Sequence, residues 1–302
     1  MADFGIYRGF SDKLFEGKAP INIGKEGSVT IPSGLFDGLL DTYPNAAAAY
    51  SLRLLRSAYT GDAIEVRRAS DNTTQDIGFV NNELDTTSLE SFCSGTDGFV
   101  TTWYDQSGNG YDATQTTASN QPQIVSSGSV LLLNGKPRLS FDGSNDFFNH
   151  GLGISSGYSL LLGVVKSLYN GTASKGIYGI TTPNTPLMNG LISNANSTQW
   201  GLYTNAWKTS GYSIYNGQFL IQSYSDNSTT NPALNTLVTN NNTTNISSTG
   251  RYGGDSSERR YIGNNFSNYF QGDMQELIAY NSDQSSNRTG IETNINDFYS
   301  IY

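Results

Sequence analysis

Residues 98–115 read GFVTTWYDQSGNGYDATQ, and this stretch indicates the fold class. Its first half is rich in β-branched and aromatic residues, which suit a pleated, half-buried strand. Six turn-forming residues then follow in succession at positions 105–110. Asn109 and Gly110 predict positive φ at two successive positions, as a type I′ turn requires. Asp105 and Ser107 are expected to accept hydrogen bonds from nearby backbone N–H groups. We therefore predict a tightly organised loop, with the floor of a polar binding site as the second interpretation.

The composition favours strands and turns over helices. Only 14% of the 302 residues are charged, 33 are glycine, and Asn, Ser and Thr are abundant. The net charge is −9 and the basic residues are scattered, which predicts no nucleic-acid partner. The chain carries 19 Tyr, 14 Phe and 3 Trp, rings that suit large sheets and also surfaces on which sugars stack.

The chain has very few cysteine and histidine residues, which limits the disulfides and catalytic sites that it can form. Cys93 is the one cysteine and His150 the one histidine, so neither an intrachain disulfide nor a catalytic triad is proposed. We predict no metal and no cofactor, with Cys93 as a small buried hydrophobe and His150 at the end of a strand. No apolar run reaches the length of a membrane span, and the first residues lack the pattern of a signal peptide, which predicts a protein made in a cytoplasm.

The order of apolar and turn residues predicts an all-β sandwich of about a dozen short strands. Residues 158–165 (YSLLLGVV) are nearly all apolar and predict a central strand, and residues 273–280 (DMQELIAY) predict the closing strand. Short helices are expected at residues 45–57, 86–93 and within 285–298, the last capped by Ser285 or Ser286. The polar run at residues 240–248 (NNNTTNISS) is expected to be a solvent-facing loop.

The chain divides into two parts in this interpretation. In residues 1–45 the apolar side chains are few and follow neither the spacing of a helix nor the alternation of a strand. Residues 46–302 are predicted to form the sandwich. We predict that residues 1–45 are a docking arm that orders against a partner or a neighbouring subunit. A disordered leader is the alternative.

Two resemblances extend this interpretation. The sequences FDGSNDFF at 141–148 and GDMQELIAYN at 272–281 resemble strands of concanavalin A-like lectin and laminin-G-like domains. Residues 49–79 and 91–115 are similar to the first part of the catalytic domain of α-L-arabinofuranosidase B, glycoside hydrolase family 54. The resemblance implies that the all-β fold is a concanavalin A-like β-sandwich, or jelly roll, to which the residue patterns add a few short helices and an extended N-terminal arm. Similar modules recur in phage virion proteins.

The resemblance also implies where two catalytic carboxylates would stand. A retaining enzyme of this kind needs a nucleophile and an acid/base. The nucleophile position aligns with Asn189, and the acid/base position aligns with Asn264 or Asn265. An amide can neither donate a proton at a useful pKa nor form a glycosyl ester. A cysteine pair of the family is broken as well, since the partner position of Cys93 is Gly98. This predicts a protein that is not an enzyme.

The resulting prediction is a lectin-like structural protein of a phage virion. It would be a head or tail decoration, fibre or receptor-binding protein, docked to other virion proteins through residues 1–45, homo-oligomeric, and directed at host cell-surface glycans. The predicted glycan-binding residues are Trp200, Tyr203, Trp207, Asn189, Asn265 and Asp105.

Two alternatives stay open. The first is an arabinofuranosidase-like hydrolase that degrades glycans, with carboxylates drawn from Asp226, Asp255, Asp273 or Glu276, although Glu276 is expected to be a sheet residue. The second is a purely structural capsid or tail component that binds no sugar.

Overall fold

The computed structural model describes residues 22–23, 29–30, 36–151, 159–168, 175–181, 191–193, 199–203, 207–214, 217–225, 233–240, 242–248, 259–265 and 268–302. Within these ranges three α-helices occur, α1 (Leu39–Thr42), α2 (Thr86–Phe92) and α3 (Arg288–Tyr299). None of the helices described has the length and apolar character needed to cross a membrane.

Strands make up most of the regular structure. The first group consists of β1 (Asn22–Ile23), β2 (Val29–Thr30), β3 (Ala48–Ser51), β4 (Ile64–Arg68), β5 (Thr74–Ile77), β6 (Phe79–Val80), β7 (Glu83–Leu84), β8 (Gly98–Trp103), β9 (Ala113–Thr114), β10 (Gln123–Ser126), β11 (Ser129–Val130), β12 (Leu132–Leu133), β13 (Lys136–Pro137), β14 (Leu139–Asp142) and β15 (Phe148–His150). The second group consists of β16 (Ser159–Ser167), β17 (Lys175–Gly176), β18 (Tyr178–Thr181), β19 (Leu191–Ser193), β20 (Gln199–Tyr203), β21 (Trp207–Ser213), β22 (Phe219–Ser225), β23 (Ala233–Thr239), β24 (Asn242–Ser248), β25 (Arg259–Ile262), β26 (Asn264–Asn265), β27 (Asn268–Tyr269) and β28 (Gln271–Tyr280).

Two sheets hold most of these strands. In the described part of the chain, a 16-stranded sheet runs in the order β18-β25-β15-β9-β8-β10-β14-β28-β16-β22-β23-β24, with β3, β4, β5 and β11 paired beside this path. A 6-stranded sheet runs in the order β21-β20-β19-β17-β27-β26. A twisted sheet of more than about ten strands curls or splits into packed layers. The predicted all-β sandwich with a few short helices is confirmed.

Strand β28 lies at the centre of the large sheet. One edge pairs with β16, and the other pairs first with β14 and then with β3. Every residue of β28 after its first is buried. Met274 and Leu277 belong to the main core, whereas Ile278 and Tyr280 pack with helix α3 in a second cluster. The strand is therefore buried on both faces because each face meets its own core, and the prediction of a closing strand here is confirmed.

The predicted helix at residues 45–57 is wrong. Ala48–Ser51 is strand β3, antiparallel to β28, with Ala48 opposite Ala279 and Ser51 opposite Glu276. All four residues of β3 are buried. The helix preference of alanine over other residues is only a few tenths of a kcal/mol per residue, which pairing and burial against a central strand easily outweigh.

Two further expectations need correction. Residues 240–248 are not a loop, because Asn242–Ser248 forms β24 and pairs along its length with β23. The backbone hydrogen bonds of a hairpin do not depend on side-chain polarity, and the β-branched Thr and Ile residues in this run suit a strand. Helix α3 begins at Arg288 after Asn287, rather than after Ser285 or Ser286.

Other local predictions are confirmed. Helix α2 falls where expected, and the side chain of Asp85 caps it by accepting a hydrogen bond from Ser88 N at 3.0 Å. Cys93 is fully buried, and burial raises the pKa of its thiol to about 11. His150 ends strand β15 and is buried, and burial with the nearby Arg260 charge lowers its pKa to about 3. These three residues are parts of the folded framework.

The segment before β3 is partly described. Leu39 and Leu40 of α1 are buried in the same cluster as Ile291 and Ile295 of α3. Tyr280 in β28 donates a hydrogen bond from its hydroxyl to the carbonyl oxygen of Tyr43 at 2.8 Å. The chain from residue 39 onward thus packs on the sandwich. The boundary at residue 45 and the docking role of residues 1–45 stay predictions, because the residues before 36 lie almost entirely outside the described ranges.

Candidate functional site

The loop at residues 105–110 is organised by the carboxylate of Asp105. Its Oδ1 accepts hydrogen bonds from Ala49 N at 2.8 Å and Ser107 N at 2.9 Å, and its Oδ2 accepts from Ser107 Oγ at 2.7 Å and Tyr111 N at 3.1 Å. Only 4% of the residue is exposed. The predicted capping role of Asp105 and Ser107 is confirmed, and Asp105 in addition ties this loop to strand β3.

The turn itself differs from the predicted type I′ geometry. Positive φ occurs at Gly108 (90°) and Gly110 (75°), whereas Asn109 between them is not among the positive-φ residues. Glycine adopts positive φ without a steric penalty, so the two glycines take the left-handed positions. The Asn109 side chain instead donates to the carbonyl oxygens of Ala46 at 3.0 Å and Ala47 at 3.1 Å. It therefore fastens the segment that enters β3.

The other predicted glycan-binding residues lie in the second half of the chain. Trp200 and Tyr203 belong to β20 and Trp207 to β21, with Tyr203 opposite Trp207 in the hairpin. Their side chains are outside the described part, as is the whole of Asn189. Asn265 lies in β26, opposite Asn268 in β27. Glycan contact by these residues remains a prediction.

Of the carboxylates proposed for a hydrolase, Glu276 is a structural residue, as expected. It lies in β28 with 1% of its surface exposed and pairs in a bidentate manner with Arg53, at 2.8 and 3.1 Å. Ser51 Oγ and the Tyr299 hydroxyl donate to its Oε2 at 2.8 and 3.2 Å. Its oxygens are fully engaged, so it is not available to a substrate.

Asp273 is engaged as well. It is buried in β28 and forms an ion pair with Arg138. Burial raises its pKa, and the charges of Arg138 and Lys166 act in the opposite direction. Asp226 and Asp255 lie outside the described residues.

A different pair of carboxyl groups stands out in the turn between β14 and β15, residues 142–146, which we name the carboxylate loop. Asp146 is 6% exposed, and its Oδ2 accepts a hydrogen bond from Asp142 N at 2.8 Å. Asp142 is exposed, and its Oδ1 accepts from Ser144 N at 2.7 Å and Asn145 N at 3.2 Å. The loop therefore presents one open carboxylate and one enclosed carboxyl group.

The two carboxyl groups have different surroundings, one buried and one exposed, and acid–base chemistry uses pairs of groups whose surroundings separate their roles. The pKa of Asp146 is raised to about 7, chiefly by burial; the hydrogen bond from Asp142 N opposes this shift, and the negative charge of Asp142 contributes to it. About half of the Asp146 side chains carry a proton near pH 7 as a result. Paired carboxyl groups with unlike environments are the usual sign of separate acid and base roles.

The carboxylate loop lies against the turn that leads into β26. A Cβ on Gly263 would stand 3.2 Å from the carbonyl oxygen of Asp146, and Gly263 has φ of 83°. Gly263 therefore packs closely against the backbone of Asp146, and Asn264 is the next residue in the chain. Asn264 is 6% exposed, and among the described residues its Oδ1 has no hydrogen-bond partner. Lys175 contacts the carboxylate loop as well, because its Nζ donates a hydrogen bond to Gly143 O at 2.9 Å.

Three half-buried rings adjoin the same loop, and we name Phe147, Tyr261 and Tyr269 the aromatic patch. The ring centroid of Phe147 lies 5.4 Å from that of Tyr261 and 6.0 Å from that of Tyr269. Phe148, the next residue along, is fully buried in the main core, so Phe147 lies on the opposite face of the strand. Sites that bind and hydrolyse sugars combine groups of these kinds: an enclosed carboxyl group, an open carboxylate and aromatic rings.

The sequence prediction missed this site. Asp142, Asp146 and Phe147 were assigned to a turn and a strand in FDGSNDFF, without a functional role. The spacing of two Asp residues across a Gly-Ser-Asn turn was visible, but such turns are common for purely local reasons. Burial of Asp146 and its approach to Gly263 arise from pairing between distant strands, which the sequence does not display.

Comparison with known proteins links this part of the chain to glycoside hydrolases. Residues 40–187 match the family model described as the catalytic domain of alpha-L-arabinofuranosidase B. The matched residues include the carboxylate loop. The alpha-L-arabinofuranosidase B of Emericella nidulans is 42% identical over 74 residues, covering 24% of this chain and 14% of the relative. The probable alpha-L-arabinofuranosidase B of Aspergillus terreus is 30% identical over 148 residues, covering 45% of this chain and 27% of the relative.

The solved structures agree on the fold. An arabinofuranosidase complexed with arabinofuranosyl-alpha-1,2-xylobiose superposes with a TM-score of 0.59 at 20% identity, over 83% of this chain and 62% of that one. A glycoside hydrolase family 54 arabinofuranosidase soaked with a cyclic sulfate inhibitor gives 0.62 at 21% identity, with the same coverage of both chains. The matches span less than a third of the two curated relatives' length and 62% of these structures.

These findings overturn two predictions. The prediction of a non-enzyme is wrong, because the matching family model and the structural neighbours are those of α-L-arabinofuranosidases. It rested on Asn189, Asn264 and Asn265, all of which lie beyond the matched residues 40–187. The prediction of a phage virion protein, with its virion location, is wrong as well, since the relatives are fungal arabinofuranosidases.

Proposed function

We propose that this chain is an arabinofuranosidase-like glycoside hydrolase that releases α-L-arabinofuranosyl groups from glycans. The observation that carries the proposal is Asp146, an enclosed carboxyl group whose pKa is raised to about 7, within residues 40–187 that match an arabinofuranosidase catalytic model. The substrate class is taken from the neighbour complexed with arabinofuranosyl-alpha-1,2-xylobiose.

The two residues of the carboxylate loop have distinct roles in this proposal. Asp146 donates its proton to the glycosidic oxygen as the bond from that oxygen to the anomeric carbon breaks. The exposed carboxylate of Asp142 stabilises the positive charge that develops on the sugar ring. Water supplies the hydroxyl group at the anomeric carbon, and its remaining proton restores Asp146.

The test is hydrolysis of 4-nitrophenyl α-L-arabinofuranoside by the full chain. We expect release of nitrophenol, and we expect Asp146→Asn to lower kcat by about 10²–10⁴-fold because the proton donor is lost. The matched control is Asp97→Asn, since Asp97 also organises a turn by accepting a backbone hydrogen bond, from Ser127 N at 2.8 Å. No release by the unchanged chain, or equal rates for the unchanged chain and Asp146→Asn, would contradict the proposal.

We propose that the predicted glycan-binding residues contact a longer substrate. Trp200, Tyr203 and Trp207 share the hairpin β20–β21 in the 6-stranded sheet, whose far edge is formed by β27 and β26 beside the carboxylate loop. We propose this sheet as the surface along which the rest of a glycan extends. Residues 1–45 are proposed to dock a partner, which a pull-down with the full chain and with a chain lacking residues 1–35 would test, since Leu39, Leu40 and Tyr43 belong to the packed fold.

A further inference from the structure

We infer that a polar recess beside the loop at residues 105–110 binds a small zwitterion, a molecule with one carboxylate and one ammonium group such as a free amino acid. The recess lies between residues 40–46, Arg56 and that loop, and we name it the Arg56 recess. It shares no residue with the carboxylate loop or the aromatic patch, so the inference does not depend on the proposed function.

The first support is the recess itself. Its volume is about 330 Å³. Sites for small molecules span roughly 300–1,000 Å³, so this recess suits a small ligand. Its walls are held together by hydrogen bonds, since the Asn109 side chain donates to Ala46 O at 3.0 Å and Arg56 Nη1 donates to Ser107 O at 3.2 Å. A ligand therefore meets a recess that is already formed, which lowers the entropy cost of binding.

The second support is the guanidinium group of Arg56, which lines the recess and is exposed. The hydrogen bond to Ser107 O engages one of its five N–H groups, and Arg56 forms no ion pair with any described residue. A guanidinium group pairs with a carboxylate through two parallel N–H bonds. Arg56 is therefore available to the carboxylate of a ligand.

The third support is the carboxylate of Asp41, which lines the same recess. Its Oδ2 accepts hydrogen bonds from Gly38 N and Ser57 N, both at 2.8 Å, whereas its Oδ1 accepts one, from Ser57 Oγ at 3.0 Å. Each carboxylate oxygen has two lone pairs that can accept, so Oδ1 keeps one position for a further donor. An ammonium group of a ligand supplies that donor.

The two charges of the recess do not pair with each other. Asp41 and Arg56 form no ion pair, so the guanidinium nitrogens lie more than 4.0 Å from the carboxylate oxygens of Asp41. A zwitterion places its carboxylate at Arg56 and its ammonium group at Asp41, which pairs both charges. A simple anion would instead stand beside the like charge of Asp41, and a simple cation beside that of Arg56. A zwitterion is therefore the ligand that this recess favours.

The test is calorimetric titration of the full chain with glycine, β-alanine and 4-aminobutanoate, three zwitterions that differ in the distance between their charges. Acetate and protonated ethylamine carry one charge each and serve as the single-charge probes. They test the two contacts from the side of the ligand, which leaves the hydrogen bonds of Asp41 undisturbed. We expect the best zwitterion to bind more tightly than either single-charge probe by about tenfold, because it makes both charged contacts.

A change in the protein tests the contact with Arg56. Arg56→Gln is expected to weaken binding of the best zwitterion by about tenfold, since the charged fork is lost. The control is Arg67→Gln, because Arg67 lies outside the recess and donates to Gln121, Asn72 and Ala118 rather than to a carboxylate. Thermal unfolding of both variants separates a loss of binding from a loss of folding.

Three outcomes would overturn the inference. The first is that none of the three zwitterions binds at millimolar concentration. The second is equal affinity of folded Arg56→Gln and the unchanged chain. The third is that acetate binds as tightly as the best zwitterion, which would remove the role of Asp41. Release of nitrophenol tests the proposed hydrolase separately, so the failure of one proposal leaves the other standing.

Discussion

The function proposed for this chain depends on how one carboxyl group, that of Asp146, is placed. Asp142 and Asp146 are four positions apart in the same turn, yet one is exposed and the other is 6% exposed. Their difference follows from packing, because Asp146 is buried, with its carbonyl oxygen close to Gly263, whereas Asp142 is exposed. Only the folded chain thus gives Asp146 the raised pKa on which its proposed role as proton donor depends.

The first prediction at this scale concerns pH. Asp146 can donate only while protonated, and its pKa is raised to about 7. We therefore expect kcat/KM to fall about tenfold per pH unit above pH 7, as the protonated fraction declines. A pH profile of nitrophenyl arabinofuranoside hydrolysis measures this. A profile that stays level up to pH 9, or an identical fall in Asp146→Asn, would contradict the role of Asp146.

The second prediction concerns Cys93 and Gly98. A Cβ built on Gly98 lies 2.7 Å from Cys93 Sγ. This proximity suits a cystine, in which the two Cβ atoms are only about 3.5–4.5 Å apart. We expect Gly98→Cys to form a disulfide with Cys93 under oxidising conditions and to raise the free energy of unfolding by about 2 kcal/mol, as expected for so short a loop.

Thiol titration before and after oxidation measures the disulfide. Gly95→Cys is the matched control, because a Cβ there has no atom within 4 Å and its side chain cannot reach Cys93 without rearrangement. It is expected to keep both thiols free. Two free thiols in oxidised Gly98→Cys would show that the distance is not as described.

At the scale of elements, strand β28 connects the two cores and the C-terminal helix. Its Glu276 lies in an enclosed cluster with Arg53, and the Arg53 guanidinium lies 4.8 Å from the Phe298 ring centre in α3. Asn294 of α3 accepts a hydrogen bond from Arg53 Nη1 at 2.9 Å. Helix α3 is therefore fixed to the sheet by a charged cluster as well as by Ile291 and Ile295.

This arrangement predicts a large effect of Glu276→Gln. The change leaves the enclosed Arg53 charge without its counter-ion, which we expect to lower the free energy of unfolding by about 3–5 kcal/mol. The control is Glu83→Gln, since the Glu83–Lys136 pair is more exposed and should contribute less than about 1 kcal/mol. Urea unfolding measures both. An equal loss of unfolding free energy in the two variants would show that the buried Arg53–Glu276 pair contributes no more than the exposed Glu83–Lys136 pair.

For the whole molecule, the site is assembled from both halves of the chain. Asp142, Asp146 and Phe147 come from residues that match the arabinofuranosidase model, whereas Tyr261, Asn264 and Tyr269 come from residues beyond the match. Strand pairing brings them together, since β25 pairs with β15 and places Tyr261 opposite Asn149. The match to residues 40–187 therefore covers only part of the proposed site.

The sequence by itself determined the features that depend on neighbouring residues. The strand at β8, the carboxylate-capped loop that follows it, helix α2 and the all-β class all arise from local turn chemistry and side-chain shape. The same local reasoning failed at β3, where an alanine-rich run became a strand because β28 lies beside it.

Only the tertiary structure decided which distant residues meet. The loop at residues 98–115, which first suggested the fold, is held by Asp105 as the sequence predicted, but the carboxyl groups of the proposed site lie elsewhere. Asp146 gains its raised pKa from burial, and Gly263 approaches the backbone of Asp146 although more than a hundred residues separate them in the chain. Desolvation and long-range strand pairing are properties of the packed chain, so no local pattern in the sequence encodes them.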